Sequence, residues 1–455
     1  MFNDISIWMK TTIWHNPKCS KSNATMKLLF ENSIDLHVKY YLENPPTKQE
    51  LEAVLAMLDM TAYELLRKSE PVLEGKNISA DSPDLIELML EHPELIERPI
   101  VINGDSARIG RPPEWVLGLF ETLNAQPRSV NLYYNENPYG PSPDALEHVK
   151  NNLSDSAYYP QMIEHDLHCM ISDRHQLENE NVVLGSGATE ILQSVLLAYG
   201  RKGTILTPWP TYTDPIMYAE RLGINIKKTP LDKNLSIDLD AMLDAIDDTV
   251  SIVFICNPNN PTGLILDGNK LREFCKSVPD HIPVVIDEAY IEFSQDPEYN
   301  SMISLIHEAQ NILVVRTFSK IYGMAGMRVG YGLGRTDIVS MVEQHKMSIM
   351  NHLSLHMAYH AYQDTKHTNE CLKLITQGRQ ILSETFTDMG LNPLPSDSNF
   401  VYCDIGQDSQ LLRTLLRGHN IFIMGKDQYI RVTVGTLSDI QRFSEVFRQV
   451  YKKDK

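Results

Sequence analysis

The sequence is short of positive charge and of paired cysteines. Its 455 residues carry 41 Lys and Arg against 59 Asp and Glu, so the formal net charge is −18. This balance argues against general binding to nucleic acid or to anionic membranes. No apolar run approaches the roughly 18 residues of a membrane span, and the N-terminal residues lack the basic region and apolar core of a secretion signal. The six cysteines are scattered, which predicts reduced thiols in a cytoplasmic protein, and we predict no metal site.

The most informative stretch surrounds Lys320. The apolar run Ile312 to Val315 is predicted to be a buried strand, and Thr317-Phe318-Ser319-Lys320 follows it. In α/β proteins, ligands bind in the crevice beyond the carboxyl ends of the strands. Lys320 is therefore predicted to lie at a ligand site, and Arg328 is close enough in sequence to share one anion with Ser319. A lone Ser-Lys pair is more often a surface feature, so the prediction of a ligand site depends on other stretches of the sequence.

Three more predicted strands end in residues suited to a ligand. The strand at 181–184 leads into Gly185-Ser186-Gly187-Ala188-Thr189, a glycine turn and helix start whose free amides form a phosphate site. The helix that follows has one apolar face, formed by Ile191, Leu192, Val195 and Leu196. The other two strands, 252–256 and 284–286, lead into Asn257-Pro258-Asn259-Asn260 and Asp287-Glu288-Ala289-Tyr290. Strands alternate with helices throughout, which predicts a mainly parallel sheet.

These motifs, in this order, make the chain from about Val130 onward similar to fold-type I pyridoxal-phosphate aminotransferases, most closely the histidinol-phosphate aminotransferase family. Further matches are Asn135 to Pro141, Tyr159-Pro160, Pro210-Thr211-Tyr212 and Arg431 to Thr436. The resemblance implies an α/β transferase at 131–455, with a large domain at about 160–337 and a small α+β domain formed by 338–455 and an N-terminal arm. It also implies a homodimer that uses pyridoxal 5'-phosphate, an amino donor and a keto acceptor.

The resemblance also implies a role for each site residue. Lys320 would hold the cofactor covalently and move the α-proton, and Asp287 would pair with the pyridine nitrogen. Arg431 would bind the substrate α-carboxylate as a bidentate pair. Tyr290 and Asn260 would hydrogen-bond the ring's phenolic oxygen, and Tyr212 would stack on the ring. The phosphate ligands would be Ala188, Thr189, Ser319, Arg328 and, from the neighbouring subunit, Tyr159; Tyr139 would bind substrate.

One position departs from the histidinol-phosphate aminotransferase pattern. Met424 stands about where that family carries an arginine for the substrate phosphate, and the loop before Arg431 is several residues short. Lys426 can substitute as a point charge, but without the fork geometry of a guanidinium. Either the substrate phosphate is held differently or the substrate has none. A decarboxylase or cyclase on the same scaffold is the alternative activity.

Residues 11–122 are predicted to form a separate domain, followed by a short linker at 123–130. Thr11 to Trp14 is a predicted strand, and the helix after it is expected to place Ala24, Leu28 and Leu29 on its inner side. Between them lies Cys19, which is predicted to precede the helix. A thiolate is stabilised at a helix N-terminus near lysine or arginine. Cys19 is therefore a candidate nucleophile, although an isolated cysteine is usually a small buried apolar residue.

The flanking residues resemble the glutaredoxin-coupled arsenate reductase family, which has a thioredoxin-like fold. The matching segments are His15 to Cys19, Tyr41 to Thr47, Leu65 to Lys68, Glu97 to Val101 and Arg111-Pro112. The resemblance implies that Cys19 attacks arsenate, that Arg67, Arg98 and Arg111 clamp the oxyanion, and that His15 and Ser22 tune the thiolate. No Cys-x-x-Cys is present, so turnover would need an outside thiol such as glutathione with glutaredoxin. A redox sensor or docking domain is the alternative.

Overall fold

The computed structural model describes residues 11–31, 34, 36–58, 60–75, 78–79, 82, 84–120 and 129–452. The chain divides into two compact units, with the division between Arg128 and Ser129. The predicted linker at 123–130 falls mostly on residues 121–128, which lie outside the described residues. Within the described ranges, no helix combines the length and apolar character that a membrane crossing requires.

The first unit is a mixed four-stranded sheet with helices. Its elements are β1 (Thr12–Trp14), α1 (Ser20–Glu31), β2 (His37–Lys39), α2 (Lys48–Leu58), α3 (Ala62–Leu65), α4 (Leu85–Glu91), β3 (Ile100–Asn103) and β4 (Ser106–Ile109). The strand order is β2-β1-β3-β4, in which β1 runs parallel to β2 and antiparallel to β3. The predicted thioredoxin-like α/β unit is confirmed.

The inner face of α1 differs from the predicted one. Ser22, Thr25 and Leu29 are buried, Leu28 is half-buried and Ala24 is exposed. Spacings of three and four residues place the first three on one face of a helix. The prediction for Ala24 was wrong because it relied on apolar residues alone, whereas the buried face also takes a serine and a threonine.

The second unit contains two sheets. Its strands are β5 (Val130–Leu132), β6 (Val182–Gly185), β7 (Thr204–Trp209), β8 (Asn225–Pro230), β9 (Val250–Cys256), β10 (Val284–Asp287), β11 (Ile312–Thr317), β12 (Gly330–Gly334), β13 (Asn392–Pro393), β14 (Phe400–Asp404), β15 (Ile421–Lys426) and β16 (Tyr429–Thr433). Its helices are α5 (Pro143–Asn151), α6 (Gln161–His175), α7 (Ala188–Ala198), α8 (Asp214–Arg221), α9 (Leu239–Asp244), α10 (Gly268–Ser277), α11 (Pro297–Asn300), α12 (Ser304–His307), α13 (Thr336–Glu343), α14 (His352–Gln363), α15 (Thr365–Asp388), α16 (Ser409–Gly418) and α17 (Leu437–Val450).

The larger sheet has seven strands in the order β6-β12-β11-β10-β9-β7-β8. Only β12 runs antiparallel to its neighbours, and every other pair is parallel. The central strands are apolar and buried, because helices cover both faces of a sheet of this type. Asp287 at the end of β10 lies level with Cys256 of β9 and Val315 of β11. The polar segments that follow these strands therefore meet at one edge.

The smaller sheet has the order β13-β14-β16-β15-β5. The strand β5 precedes the large sheet in sequence but pairs with β15, so the N-terminal arm of this unit completes the second sheet. In the β15–β16 pair, Met424 lies opposite Arg431. The predicted combination of a mainly parallel sheet with a small α+β region is confirmed.

Candidate active site

A cavity of about 760 Å³ lies at the carboxyl-end edge of the large sheet and is also lined by residues of the small sheet. It collects ten of the twelve residues predicted to bind cofactor or substrate in this unit: Ala188, Thr189, Tyr212, Asn260, Asp287, Tyr290, Ser319, Lys320, Arg328 and Arg431. Tyr139 and Tyr159 are not in its wall. Tyr139 packs against the core, and Tyr159 is 75% exposed on the surface.

The Lys320 amine points at the backbone of the N-terminal arm. Its Nζ donates to the carbonyl oxygens of Tyr134 at 3.2 Å and Asn135 at 3.1 Å, and it lies 5.5 Å from the centre of the Tyr290 ring. Burial, together with the charge of Arg431, lowers the pKa of Lys320 to about 8, although Asp287 opposes the shift. A substantial fraction of the amine is therefore neutral, and nucleophilic, near physiological pH.

Asp287 is a buried carboxyl that makes no ion pair with any described residue. Only 3% of it is exposed, and its Oδ1 accepts a hydrogen bond from the Ala289 amide at 3.1 Å. Burial raises its pKa to about 6, against the opposing effects of the Ala289 amide and the Lys320 charge. A buried carboxylate without a cation partner is costly unless a ligand supplies the positive charge.

An anion cradle is formed by the start of α7 and Arg328. Ala188 and Thr189 line the cavity, and the first amides of a helix have no partner within it, so these two amides are available as donors. Arg328 donates to Ser319 Oγ at 3.2 Å and approaches Thr189 Oγ1 at 3.5 Å. Gly187 has a φ of 80°, and a Cβ added there would lie 2.3 Å from the Arg328 guanidinium. Glycine at 187 therefore leaves room for this arginine.

The guanidinium of Arg431 is anchored through both of its terminal nitrogens. It donates to Asn260 Oδ1 and to the Tyr133 carbonyl, each at 2.6 Å. Its Nε is buried without a hydrogen-bond partner among the described residues. A buried donor without a partner is unfavourable, so a carboxylate or similar anion arriving from the cavity would stabilise it.

Asn135 joins the two sheets at the site, a role that the sequence analysis missed. Its Nδ2 donates to Tyr290 Oη at 2.9 Å, and its Oδ1 accepts from Thr433 Oγ1 at 2.9 Å. Its own amide donates to Thr433 Oγ1 at 3.0 Å, and Asn399 donates to its carbonyl at 3.0 Å. Asn135 and Thr433 both lie within the motifs that carry the family resemblance, which was the available signal.

The far side of the cavity holds aromatic side chains together with one lysine and two aspartates. Tyr212 donates to Asp214 at 2.8 Å, and burial raises its pKa. Met424, Lys426, Asp427, Tyr402 and Tyr429 line the wall formed by the small sheet, where the two tyrosine rings stack with centroids 5.2 Å apart. Lys426 is the position proposed to replace the family arginine, and a carboxylate lies next to it in sequence.

Cys19 of the first unit directly precedes α1. Burial would raise the pKa of its thiol, but the backbone amides of Ser22 and Lys21 and the charges of Arg111 and Arg98 outweigh it, so the pKa is lowered. Arg111 Nη2 lies 3.9 Å from Sγ. Of the two residues predicted to tune the thiolate, His15 is buried and its Nδ1 is 2.8 Å from Ser22 Oγ.

The three predicted clamp arginines are brought together by carboxylates. Arg67 and Arg98 both pair with Glu70, the second at 3.4 Å, and Arg98 also donates to the Glu94 carbonyl at 3.0 Å. Arg111 pairs with Glu97 at 3.0 Å. Arg111 and Arg98 act on the partly exposed Cys19 thiol, and Arg67 is joined to Arg98 through Glu70, a combination suited to an oxyanion.

Comparison with known proteins agrees with both units. The family model for aminotransferase class I and II matches residues 127–447, and the model for the ArsC family matches residues 14–119. Histidinol-phosphate aminotransferase 2 of Pseudomonas fluorescens is 35% identical over 329 residues, covering 70% of this chain and 88% of the relative.

Solved structures agree with the second unit. The histidinol-phosphate aminotransferase of Sinorhizobium meliloti in complex with pyridoxal-5'-phosphate matches with a TM-score of 0.66 at 26% identity, covering 73% of this chain and 95% of that one. The L-threonine-O-3-phosphate decarboxylase of Porphyromonas gingivalis matches with a TM-score of 0.60 at 20% identity, covering 70% and 98%, which is a likeness of fold alone. The chain belongs to the class I and II aminotransferases, where it is a transaminase of the histidinol-phosphate aminotransferase type, and it carries in addition a domain of the ArsC family.

Proposed function

We propose that residues 131–455 use pyridoxal 5'-phosphate to transfer an amino group from an amino acid to a keto acid or ketone. The observation that carries the proposal is the convergence of Lys320, Asp287 and Arg431 on one cavity. An amine with a lowered pKa, an unpaired buried carboxyl and an arginine with a free donor serve three different parts of a cofactor and substrate pair.

The residues present fit this cofactor. The unpaired Asp287 carboxyl would hold a proton on the pyridine nitrogen, and the cradle of Ala188, Thr189, Ser319 and Arg328 would hold the phosphate. Asn260 and Tyr290 would bind the ring's phenolic oxygen, and Tyr212 would cover the ring face. When bound, pyridoxal phosphate supplies an electron sink for the carbanion that forms at the substrate α-carbon.

The chain's own groups would then carry the proton and fix the substrate. Lys320 has a pKa of about 8 and is therefore suited to accept the α-proton and to return it. Arg431 would bind the α-carboxylate with the N–H groups that do not bond to Asn260 and Tyr133. Asn135 holds the Tyr290 hydroxyl and the small sheet in register, which fixes the distance between cofactor and substrate groups.

We propose that the preferred amino donor carries no phosphate on its side chain. Met424 offers no charge, and Lys426 is an exposed point charge next to Asp427. A dianionic phosphate is usually bound by a planar fork of donors or by several amides, and the wall formed by Met424, Tyr402 and Tyr429 offers neither. The apolar and aromatic wall suits an amino acid with an apolar or aromatic side chain.

A panel of amino donors tests the activity. The purified chain with pyridoxal phosphate should convert 2-oxoglutarate into glutamate with at least one amino acid, and more slowly with histidinol phosphate. Release of carbon dioxide in proportion to substrate consumed would instead support the decarboxylase alternative. No glutamate and no carbon dioxide from any donor would overturn the proposal.

For residues 11–122 we propose arsenate reduction by Cys19. The thiolate would displace a hydroxyl from arsenate to form a sulfur–arsenic bond, with Arg67, Arg98 and Arg111 holding the oxygens. A glutathione thiol would then attack the Cys19 sulfur, which breaks the sulfur–arsenic bond, releases arsenic(III) as arsenite and leaves a mixed disulfide. A second thiol, supplied with glutaredoxin, would free Cys19 and leave glutathione as its disulfide. Glutathione consumption that depends on arsenate and disappears in Cys19→Ser would support this. Consumption that persists in Cys19→Ser would overturn it. Replacing a clamp arginine by alanine should also reduce consumption, and Arg108→Ala, which changes an arginine outside the clamp, is the matched control.

We also propose that the chain is a cytoplasmic homodimer. Tyr159 is 75% exposed, and its neighbours Tyr158, Met162 and Leu153 are 70%, 73% and 58% exposed. An exposed group of apolar side chains of this kind marks an interaction surface, and a second copy would bring Tyr159 to the other phosphate cradle. Light scattering of the full chain should give twice the monomer mass. A monomer that still transaminates at full rate would contradict the role of Tyr159.

A further inference from the structure

Four histidines lie together where α14 packs against α5. His352, His356 and His360 are spaced by four residues on α14 and therefore share one face of that helix. His148, on α5, reaches the same group. The ring centres of His148 and His360 are 4.0 Å apart, and those of His148 and His356 are 5.2 Å apart. None of the four lines the cavity that contains Lys320.

The imidazole nitrogens converge as metal ligands do. One ring nitrogen from each of His148, His356 and His360 lies within 4.8 Å of the other two, and all three side chains are partly buried. Tetrahedral coordination at about 2.0–2.1 Å places ligand nitrogens roughly 3.4 Å apart. Rotation of the rings about their side-chain bonds would bring the nitrogens to that separation.

Two nitrogens of this group are buried with nothing to bond. The Nδ1 atoms of His352 and His356 have no hydrogen-bond partner among the described residues. Buried polar atoms are nearly always paired, so these two nitrogens have unused capacity to bind a ligand. A packed set of neutral histidines would explain the stacking but would leave these atoms unsatisfied.

The charges around the group favour a cation. The Asp155 carboxylate interacts electrostatically with His356, and the Asp144 carboxylate with His360, so two carboxylates are close enough to offset part of a metal charge. The three nitrogens grouped here come with no thiolate, a donor set that suits zinc, nickel or copper and not magnesium or calcium.

We propose that His148, His356 and His360 bind a divalent transition metal ion of the zinc class, with His352 or water as the fourth ligand. The ion would join α5 to α14, two helices that are separated by about 200 residues of sequence. This separation hides His148 from any pattern of ligand spacing along the chain, although His352, His356 and His360 recur at every fourth residue. The site is distinct from the proposed pyridoxal phosphate site and from the Cys19 site.

Cobalt(II) titration of the full chain, loaded with pyridoxal phosphate, tests the proposal. We expect one equivalent to bind with the visible absorption of tetrahedral cobalt and without a sulfur charge-transfer band. His360→Gln and, on the other helix, His148→Gln should each weaken binding by at least about 100-fold, since even outer-shell changes cost up to that much. His307→Gln, an exposed histidine outside the group, should bind like the wild type.

A thermal shift provides the second measurement. Zn²⁺ should raise the melting temperature of the wild type and of His307→Gln, and should leave that of His360→Gln and His148→Gln unchanged. Equal cobalt affinity in wild type and both cluster variants would overturn the proposal. So would a sulfur charge-transfer band, since it would assign the bound ion to a cysteine such as Cys169, whose Sγ lies 3.5 Å from His165.

Discussion

The amine of Lys320 and the thiol of Cys19 are adjusted by opposite physical means. An amine is nucleophilic when neutral, so burial helps it, and burial is the main reason that the pKa of Lys320 is about 8. A thiol is nucleophilic when charged, so burial opposes it. Cys19 therefore relies on helix amides and on Arg111 and Arg98 to lower its pKa. The first nucleophile can lie inside a cavity, whereas the second must lie at a helix start near the surface.

The arginines of the two sites differ in how far their charge is already neutralised. Arg431 makes no ion pair with any described residue, and its anchors are the neutral Asn260 side chain and the Tyr133 carbonyl, so its charge is available to an anion. Arg67 and Arg98 already share Glu70, and Arg111 already pairs with Glu97. An oxyanion at Cys19 would have to compete with these carboxylates. We therefore expect the Cys19 site to bind anions more weakly than the Lys320 site.

Replacing Lys320 should separate the two sites most clearly, because it should affect only one of the two reactions. Lys320→Ala removes both the covalent anchor and the proton carrier, so transamination should fall by at least about 10⁴-fold. Arsenate reduction should not change, because it depends on Cys19 in a separate unit. Initial rates of both reactions on one preparation measure this. A residual transamination rate above about one hundredth of wild type would contradict the role of Lys320.

Replacing Asp287 tests whether a buried negative charge is needed in the cavity, and it leaves Lys320 in place. Asp287→Asn has nearly the same shape but cannot carry the negative charge that a protonated ring nitrogen requires. Loss of one preorganised electrostatic partner costs roughly 10²–10³-fold in turnover, and we expect that range for kcat. Asp397→Asn, a partly buried aspartate away from the cavity, is the control. An Asp287→Asn enzyme with unchanged kcat would show that this carboxyl has no part in the reaction.

A substitution in the small sheet tests substrate choice. Met424→Arg places a guanidinium opposite Arg431 in the cavity wall. A charge-assisted hydrogen bond is worth about 1.5–3 kcal/mol, so kcat/KM for histidinol phosphate should rise by roughly 10- to 150-fold relative to a donor without phosphate. Leu415→Arg on the exposed face of α16 adds the same charge elsewhere. An equal change for both donors would mean that position 424 does not select for phosphate.

The smallest expected effect lies at the cysteine. Arg111→Ala removes a positive charge 3.9 Å from Cys19 Sγ, so the thiol pKa should rise and the thiolate fraction at pH 7 should fall. A rise of one pKa unit means about tenfold slower alkylation at that pH. The pH profile of iodoacetamide labelling, followed by peptide mass spectrometry, measures the shift. A profile that is the same in Arg108→Ala and Arg111→Ala would leave the helix amides as the cause.

Local sequence pattern predicted the strands and the motif loops well. The run from Ile312 forms β11, and Ala188, which follows Gly187, begins α7. Both could be predicted because they depend on the apolar character and backbone freedom of adjacent residues. Contacts between distant segments could not be predicted in this way. The Asn135 bonds to Thr433 span 298 positions, and the histidines of α5 and α14 meet only in the folded chain. The prediction that Ala24 is buried was wrong because polar side chains, here Ser22 and Thr25, can occupy the buried face of a helix.

The absorbance spectrum of the purified chain with pyridoxal phosphate shows whether Lys320 holds the cofactor and whether an amino group passes through it. We expect a visible band from the bound cofactor that is absent in Lys320→Ala. An amino donor should remove the band, and a keto acid should restore it, because the amino group passes through the cofactor in both directions. The same band in Lys320→Ala, or a band that no amino acid alters, would contradict the assignment of this cavity as the transaminase site.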